Sequence, residues 1–416
     1  MLRTMSLSSV SAFSSVSFAQ PNYKLRAIGM SDDCPFPPPL DALCDIIGGG
    51  GDGGSGEPQA GDNPDIPAAP EAGETGADPL YEKQWGMNDI GAKEAHDAVN
   101  NLNNDNEIVV AVIDTGVDYT HEDLLPNLWR NRNEIPDNGI DDDENGFVDD
   151  VVGWDFASDD NKPYDLKGGS ALGGGNPGHG THCAGNVAAR GNNGIGISGV
   201  APNAKIMILR FITEEGQGTT ADAVGSIKYA VDNGAHITSN SWGSIGEDPD
   251  EEEENQALRD IIQYSQDKGI LFVAAAGNGH QGKGYDNDTD DKPAYPASYD
   301  NDIIMSVAAI DSGDKLGSFS NWGKKSVDIA APGVKVYSTV VGDGYTDTAI
   351  PGLATWDGTS MAAPHVAGAA ALYLAANPEA NWKEIKKAIM DAAAPVSAYK
   401  NKLVSGGKLN LKKMFE

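Results

Sequence analysis

Four continuous apolar stretches alternate along this chain with segments of helical spacing, and this alternation is the feature that most limits its possible folds. The apolar stretches are EIVVAVID (107–114), KIMILRFI (205–212), ILFVAAAG (270–277) and DIIMSVAAI (302–310). Residues 219–235 and 255–269 have the spacing of helices. Strands that are apolar on both faces and alternate with helices indicate a parallel sheet that is covered on both sides. We therefore predict a three-layer α/β fold, with a doubly wound, mostly parallel sheet and helices on both faces.

Four polar side chains either end or follow an apolar stretch or lie in a motif that opens a helical segment. Asp114 ends the first apolar stretch and Asn278 follows the third, while His179 and Ser360 lie in HGTHCAG (179–185) and GTSMAAPHVAG (358–368). Sites in open parallel sheets form beyond the carboxyl ends of the strands, so we expect the four side chains to converge there.

Their chemistry fits nucleophilic catalysis. A serine hydroxyl needs a base within hydrogen-bond reach, and that base needs a group that orients it. His179 is the candidate base for Ser360, and Asp114 is the group that would orient it. An attacked carbonyl becomes an oxyanion, which the Asn278 amide and the backbone N–H of Ser360 at a helix start can stabilise.

A proline inside the same helical segment raises a question of hydrogen bonding. Pro364 follows Ser360 by four residues, so it lacks the N–H that would bond the Ser360 carbonyl in a regular helix. We expect Pro364 to cost least if it lies close to the start of the helix.

The order Asp, His, Ser in the motifs DTGVD, HGTHCAG, AAAGN and GTSMAAPHVAG resembles that of the subtilisin-like serine proteases. The resemblance covers residues 79–416. It implies that Asp114, His179 and Ser360 form a catalytic triad and that Asn278 is the oxyanion donor. It also implies protein or peptide substrates, bound as an added strand.

The resemblance assigns substrate-binding residues as well. It implies that the edge segment Ser241, Trp242 and Gly243 pairs with the extended substrate. The pocket for the residue before the scissile bond would be walled by Ala274, Ala275, Ala276 and Gly277. Because none of these is acidic, we expect a large apolar or aromatic residue to be preferred in that pocket.

The segment DNGIDDDENGFVDD (137–150) is a candidate calcium loop. Oxygen-bearing side chains occupy positions one, three, five and nine of an EF-hand-like spacing, with Gly146 at position six: Asp141, Asp143, Asn145 and Asp149. The glutamate of position twelve is replaced by Val152. Calcium binding and a merely solvated acidic turn are both compatible with this pattern.

The resemblance implies further Ca²⁺ ligands outside that loop. Asp123 and Asn193, in HEDL and RGNNGIGISG, match ligands of the family's strong calcium site. Asp155, in GWDFASDDN, is a candidate for another site. Ca²⁺ is therefore the predicted cofactor.

Charge and hydropathy exclude two classes of partner. The formal net charge is −33, whereas nucleic-acid binding requires a basic surface. The apolar runs are strand-sized, so no membrane span is predicted. We expect a monomer.

The first 78 residues differ from the rest of the chain. Residues 1–19 form a possible signal peptide, although an organelle transit peptide or an untargeted tail would also fit. We therefore expect a secreted or extracytoplasmic protein. Residues 20–78 are rich in glycine, proline and acids and are predicted to be a largely disordered propeptide or linker. Residues 79–416 form the predicted peptidase domain.

These features favour a calcium-stabilised serine endopeptidase that acts through an acyl-enzyme. Two alternatives stay open at this point. One is an acyl transferase, in which an amine takes the acyl group in place of water. The other is a peptide-binding protein on the same fold that has lost its chemistry.

Overall fold

A computed structural model describes residues 24–27, 63–70, 76–100, 107–168, 175–244, 256–280, 282–291, 293–351 and 353–416. The predicted signal peptide at 1–19 lies outside the described residues. Of residues 24–27 the backbone alone is described here.

A nine-stranded sheet forms the centre of the described chain. Its strands are β2 (Val109–Asp114), β3 (Gly153–Asp155), β4 (Lys205–Arg210), β6 (Ile237–Asn240), β8 (Leu271–Ala275), β9 (Ile304–Ile310), β10 (Ile329–Pro332), β15 (Ala394–Pro395) and β16 (Gly407–Lys408). The spatial order is β15-β16-β10-β9-β8-β6-β2-β4-β3. Every pairing in it is parallel except that of β15 with β16. The predicted mostly parallel sheet is confirmed.

The helices cover this sheet on both faces, as predicted. They are α1 (Trp85–Ile90), α2 (Ala92–Asn100), α3 (His179–Ala188), α4 (Thr220–Asp232), α5 (Gln256–Lys268), α6 (Thr359–Ala376), α7 (Trp382–Ala392) and α8 (Leu411–Met414). Helices α3 and α6 pack against each other, and α6 lies on β6, β8 and β9. Helices α4 and α5 form a second pair, on β2, β4 and β8.

Local sequence explains where the central elements begin and end. All six residues of β2 are buried, as expected of a Val- and Ile-rich strand with helices on both sides. Helix α4 begins where the Thr219 side chain accepts the N–H of Asp222. Helix α6 is buried on nearly all sides, which suits its run of alanines.

Three smaller sheets in the described part of the chain lie outside the central one. Strand β1 (Lys24–Ala27) lies between β5 (Gly218–Thr219) and β7 (Trp242–Gly243). Strands β11 (Ser338–Val340) and β12 (Gly344–Thr346) form a pair, as do β13 (Thr348–Ile350) and β14 (Ala354–Thr355).

Part of the segment predicted to be disordered is packed on the domain. Residues 63–70 run extended, and the Tyr119 hydroxyl donates to the Pro64 carbonyl at 2.7 Å. Arg130 donates to the Pro67 carbonyl at 2.6 Å. Within the stretch from 20 to 78 that was predicted to be largely disordered, residues 63–70 are thus ordered by long-range side-chain donors and by the packing of Ile66 against the core.

No helix among the described residues is long and apolar enough to cross a membrane.

Candidate active site

Three chain segments bring the predicted catalytic side chains to the carboxyl edge of the sheet. Asp114 is the last residue of β2, His179 is the first residue of α3, and Ser360 lies in the first turn of α6. The start of α3 fits tightly against the end of β2: a Cβ atom on Gly180 would lie 2.0 Å from the carbonyl oxygen of Gly116. Glycine at this position therefore lets the histidine helix reach the aspartate strand.

Asp114 and His179 form a buried hydrogen-bonded pair. Nδ1 of His179 donates to Oδ1 of Asp114 at 2.7 Å, and both side chains are almost inaccessible to solvent. Burial opposes the imidazolium, but the negative charge of Asp114 outweighs it and raises the pKa of His179 well above its ordinary value. Nε2 of His179 is buried and has no hydrogen-bond partner among the described residues. When the ring is neutral, this nitrogen can accept a proton from a group that approaches it, and the raised pKa favours that transfer.

The Ser360 hydroxyl lies against the substrate-edge segment. Its Oγ donates to the backbone carbonyl of Ser241 at 3.0 Å. Cys183 stands between this serine and the histidine, since its Sγ lies 3.9 Å from His179 Nδ1 and 3.4 Å from the Ser360 carbonyl. The structure thus brings the predicted histidine and serine into one buried cluster, with the serine hydroxyl turned towards Ser241.

The same contacts explain how helix α6 tolerates a proline. The Ser360 carbonyl, which has lost its helical donor to Pro364, accepts the Ser241 Oγ–H at 2.9 Å and the thiol of Cys183. Both donors come from other elements of the fold. The missing helical bond is therefore replaced by contacts that also fix the position of Ser360.

Asn278 is held by the start of helix α6. Its Oδ1 accepts the backbone N–H and the hydroxyl of Thr359, each at 2.9 Å. The same hydroxyl accepts the N–H of Gly277 at 3.2 Å. With Oδ1 committed to the helix, the Nδ2 group of Asn278 is the part of the amide that can donate to an oxyanion.

The substrate-edge segment pairs with a strand from the N-terminal part of the chain itself. Strand β1 is antiparallel to both of its neighbours, with Arg26 opposite Gly243 and Leu25 opposite Gly218. The edge predicted at 241–243 therefore acts as a sheet edge. Sequence reasoning missed the second edge, β5, which lies across the same groove and has only two residues.

The other predicted substrate-binding residues are buried, so their side chains are not exposed to the groove. The Trp242 side chain is fully buried between Phe211 and Phe272, so Trp242 offers the groove only its backbone. Residues Ala274 to Gly277 are buried at the end of β8. Gly277 has a φ of +106°, and a Cβ atom there would lie 2.6 Å from Asn321 Nδ2. This wall consists of alanine and glycine alone.

The acidic loop gathers only part of its predicted ligand set. Carboxylate oxygens of Asp141 and Asp143 lie within 4.8 Å of one another and of Glu134, a residue that sequence reasoning did not include. Asn145 donates its backbone N–H to both aspartates, at 3.1 Å each. Asp149 instead accepts the N–H groups of a turn at 138–139. Its carboxylate is therefore occupied away from the other three.

Asp123 and Asn193 are hydrogen-bonded to each other. Nδ2 of Asn193 donates to Oδ1 of Asp123 at 2.8 Å, and Oδ2 accepts the N–H of Ile197 at 2.9 Å. Burial, with the nearby charge of Asp78, raises the pKa of Asp123 to about 7. Asp78 accepts the N–H groups of 192 and 193. Asn193 is thus bonded both to the buried Asp123 and to the half-buried Asp78, and a cation beside these two carboxylates would relieve their repulsion.

Asp155 has a different partner. Its carboxylate is buried in an ion pair with the Arg210 guanidinium and also accepts the N–H groups of Ala157 and Ser158. Arg210 in turn pairs with Glu214 at 2.8 Å. A guanidinium already neutralises this carboxylate, and a calcium ion beside it would be repelled. This ion pair argues against Asp155 as a Ca²⁺ ligand.

Comparison with known proteins agrees with this arrangement of elements. A model of the subtilase family, peptidase S8, matches residues 105–412. The thermophilic serine proteinase of Bacillus sp. (strain AK1) is 38% identical over 288 residues, which cover 69% of this chain and 57% of that protein. Thermitase of Thermoactinomyces vulgaris is 35% identical over 322 residues, covering 77% of this chain and 92% of thermitase.

The halolysin-like extracellular serine protease Nep of Natrialba magadii is 32% identical over 319 residues, covering 77% of this chain. The aligned part spans only 49% of that relative and 57% of the Bacillus proteinase, so the chain covers about half the length of several relatives. The family match covers three quarters of the chain and includes β2, α3 and α6, whose residues form the buried Asp114–His179 pair and carry Ser360. The chain therefore belongs to the subtilase family.

Proposed function

We propose that this protein is a serine endopeptidase that cleaves peptide bonds through an acyl-enzyme at Ser360. The observation that carries the proposal is the buried 2.7 Å hydrogen bond between Asp114 and His179, with the second ring nitrogen of His179 buried and unpartnered. A histidine held in this way is an oriented base. The relatives named above are described as serine proteinases or proteases, apart from thermitase, whose name does not specify the class.

In the proposed mechanism the Ser360 hydroxyl leaves the Ser241 carbonyl and turns towards Nε2 of His179. The oxygen then attacks the substrate carbonyl while Nε2 takes the proton, and the Asp114 carboxylate stabilises the resulting imidazolium. The imidazolium afterwards delivers that proton to the leaving amine. A water molecule then gives a proton to Nε2 and attacks the carbonyl of the acyl-enzyme. The bond to Ser360 Oγ breaks, the imidazolium returns the proton to that oxygen, and the acyl group leaves as a carboxylic acid.

Two donors would stabilise the oxyanion. One is Nδ2 of Asn278, whose amide is fixed through Oδ1. The other is the backbone N–H of Ser360, which lies in the first turn of α6 where helix N–H groups point outward. These donors are in place before reaction, so little reorganisation is needed as charge develops.

We further propose that substrate binds as an extended strand between β5 and β7. The support is that Lys24–Ala27 of the chain itself pairs with both edges. Backbone pairing is compatible with many side chains, which suits an enzyme that cleaves proteins. The alanine and glycine wall at 274–277 leaves room for a large apolar side chain before the scissile bond.

Strand pairing by the chain itself gives a direct test of this groove. Because residues 24–27 and a substrate would require the same edges, a variant lacking 24–27 should have a lower KM for a peptide substrate and an unchanged kcat. A variant lacking 67–70, which lie elsewhere on the domain, is the control. An unchanged KM in the first variant would contradict strand binding between β5 and β7.

We propose that Ca²⁺ stabilises the fold at two places. Asp78, Asp123 and Asn193 would hold one ion, and Glu134, Asp141, Asp143 and Asn145 would hold the other. Both sets offer the oxygen ligands that a hard cation prefers: the carboxylates of Glu134, Asp141 and Asp143 lie within 4.8 Å of one another, and Asn193 is bonded to both Asp78 and Asp123. When bound, the ion would supply positive charge that offsets carboxylate repulsion.

We also propose that the protein is secreted, because the halolysin-like relative is described as extracellular and residues 1–19 suit a signal peptide. The monomeric state stays a prediction, which size-exclusion chromatography tests.

The experiment that tests the proposed function is hydrolysis of an aromatic-ended chromogenic peptide by the purified protein and by a Ser360→Ala variant. Activity that disappears in the variant supports the proposal. Equal activity in both proteins would overturn it.

A further inference from the structure

A buried carboxylate outside the triad connects the two segments that carry Asp114 and His179. Asp165 is fully buried, and its two oxygens accept four hydrogen bonds. Oδ1 accepts the Thr115 hydroxyl at 2.9 Å and the Asn176 amide at 2.6 Å. Oδ2 accepts the backbone N–H of Thr181 at 2.8 Å and its hydroxyl at 2.5 Å. Both oxygens of Asp165 therefore accept hydrogen bonds, from donors that lie close to Asp114 and close to His179 in the chain.

These four bonds determine the direction of the neighbouring groups. Because Thr115 donates its hydrogen to Asp165, its oxygen accepts the N–H of Gly180 at 2.8 Å. Because Asn176 turns its NH₂ group towards Asp165, its Oδ1 accepts the N–H of His179 at 2.9 Å. A carboxylate, which only accepts, is the side chain that can impose both directions at once.

The network satisfies the start of helix α3. A helix leaves its first N–H groups without partners inside the helix, and Gly178 before it offers no side chain for this purpose. Here the N–H groups of residues 179, 180 and 181 are taken by Asn176, Thr115 and Asp165 in turn. The negative charge of Asp165 also lies at the positive end of the helix dipole.

The network reaches the loop after β2 as well. Thr115 directly follows Asp114, and the Thr181 hydroxyl accepts the N–H of Asp118 at 2.9 Å. Asp165 is thus bonded, directly or through one side chain, to the segment that carries the triad aspartate and to the helix that carries the triad histidine.

We infer that Asp165 is a positioning residue for catalysis, which holds the end of β2 and the start of α3 in the register that makes the Asp114–His179 hydrogen bond. This inference rests on the proposed serine peptidase function. Asp165 does not touch the reacting atoms; it acts through Thr115, Asn176 and Thr181. The substrate edges β5 and β7 are not part of the network, so its loss should affect the chemical step and leave substrate binding unchanged.

The test is the Asp165→Asn variant, assayed per active site after titration with a serine-directed sulfonyl fluoride. An asparagine has the same shape but turns an NH₂ group towards groups that are donors. We expect kcat per titrated site to fall roughly 10- to 100-fold, as small misplacements of catalytic groups do, with KM within about twofold of wild type. Titration removes any unfolded fraction from the comparison.

Asp328→Asn is the matched control. Asp328 is also a buried carboxylate that accepts a backbone N–H, from Ser306 at 2.9 Å, but it lies at the amino end of β10, away from the site. Its variant should keep kcat per titrated site. A kcat within twofold of wild type in Asp165→Asn would overturn the inference, because the carboxylate would then be only structural.

Thr115 provides a second test if Asp165→Asn does not fold. Thr115→Val keeps the shape and removes the hydroxyl, whereas Thr115→Ser keeps the hydroxyl. We expect kcat per titrated site at least tenfold lower for the valine variant than for the serine variant. Equal values would overturn the inference. Activity in Ser360→Ala would instead overturn the proposed function, so the two failures are distinguishable.

Discussion

Asn278 is proposed to have two roles, as a hydrogen-bond acceptor for the start of α6 and as an oxyanion donor. The variants Asn278→Ala and Asn278→Asp distinguish them. Oδ1 accepts two hydrogen bonds from Thr359 at the start of α6, while Nδ2 is the proposed oxyanion donor. Alanine removes both functions. Aspartate keeps the acceptor and removes the donor.

The expected magnitudes follow from these contacts. Loss of a side-chain acceptor at a helix start costs about 0.5–2 kcal/mol of unfolding free energy, which we expect for Asn278→Ala. A carboxylate at the same place gains about 0.3–1 kcal/mol from the helix dipole, so Asn278→Asp should be as stable as wild type or slightly more stable. Both variants should lose roughly 100- to 1000-fold in kcat, a range for an oxyanion donor that was established in this same family.

The assay combines urea unfolding with peptide hydrolysis per titrated active site. Asn381 is the matched control, because its side chain accepts the N–H groups of 383 and 384 at the start of α7, on the surface. Asn381→Ala should lose stability without a change in kcat. If Asn278→Asp kept more than a tenth of the wild-type kcat, Asn278 would serve only the helix, and its oxyanion role would be refuted.

Three further predictions concern stability, pH and metal. Ser241→Ala should lower the unfolding free energy by about 1–3 kcal/mol, because it removes a buried donor to the Ser360 carbonyl. The loss should be smaller in a Pro364→Ala background, which restores the helical N–H to that carbonyl. Additive effects of the two substitutions in urea unfolding would contradict this coupling. The pKa of His179 is higher in the folded than in the unfolded state, so the imidazolium adds stability that is fully present below the unfolded pKa and is lost as pH rises through the folded pKa. The difference in unfolding free energy between wild type and Asp114→Asn should therefore shrink as pH rises. A difference that stays constant across the pH series would contradict this prediction. Calcium at a hundredfold excess over its Kd should add about 2.7 kcal/mol of unfolding free energy per site. Glu134→Gln should reduce the calcium-dependent shift in Tm, whereas the control Glu379→Gln, at an exposed position, should not. Equal shifts in both variants would argue against calcium at the acidic loop.

Periodic and local signals accounted for most of the fold. The apolar stretch 107–114 became β2, and the helical spacing at 219–235 and 255–269 became α4 and α5, with ends shifted by a few residues. Strands buried on both faces leave an unambiguous apolar signature. The polar residues that follow them could be placed at one edge because parallel strands share their carboxyl end.

Contacts between distant segments were harder to anticipate. Glu134 precedes the acidic loop and matches no ligand spacing, yet the turn brings it beside Asp141. Asp165 looks like an ordinary loop aspartate in the sequence, and only the fold reveals that four donors surround it. Residues 63–70 show no periodic apolar pattern, yet side-chain donors from elsewhere hold their backbone and Ile66 packs against the core. In each case no periodic pattern marks the partner, which for Asp165 and for residues 63–70 belongs to a different segment of the chain.

The central claim is that Ser360 becomes acylated with His179 as its base. The most direct measurement is mass spectrometry of the protein quenched during turnover of an activated ester substrate, followed by peptide mapping of the adduct. The proposed mechanism predicts one acyl group on the peptide that contains Ser360, none in Ser360→Ala, and a much slower appearance in His179→Ala. An acyl group on another residue, or undiminished turnover by Ser360→Ala, would contradict it.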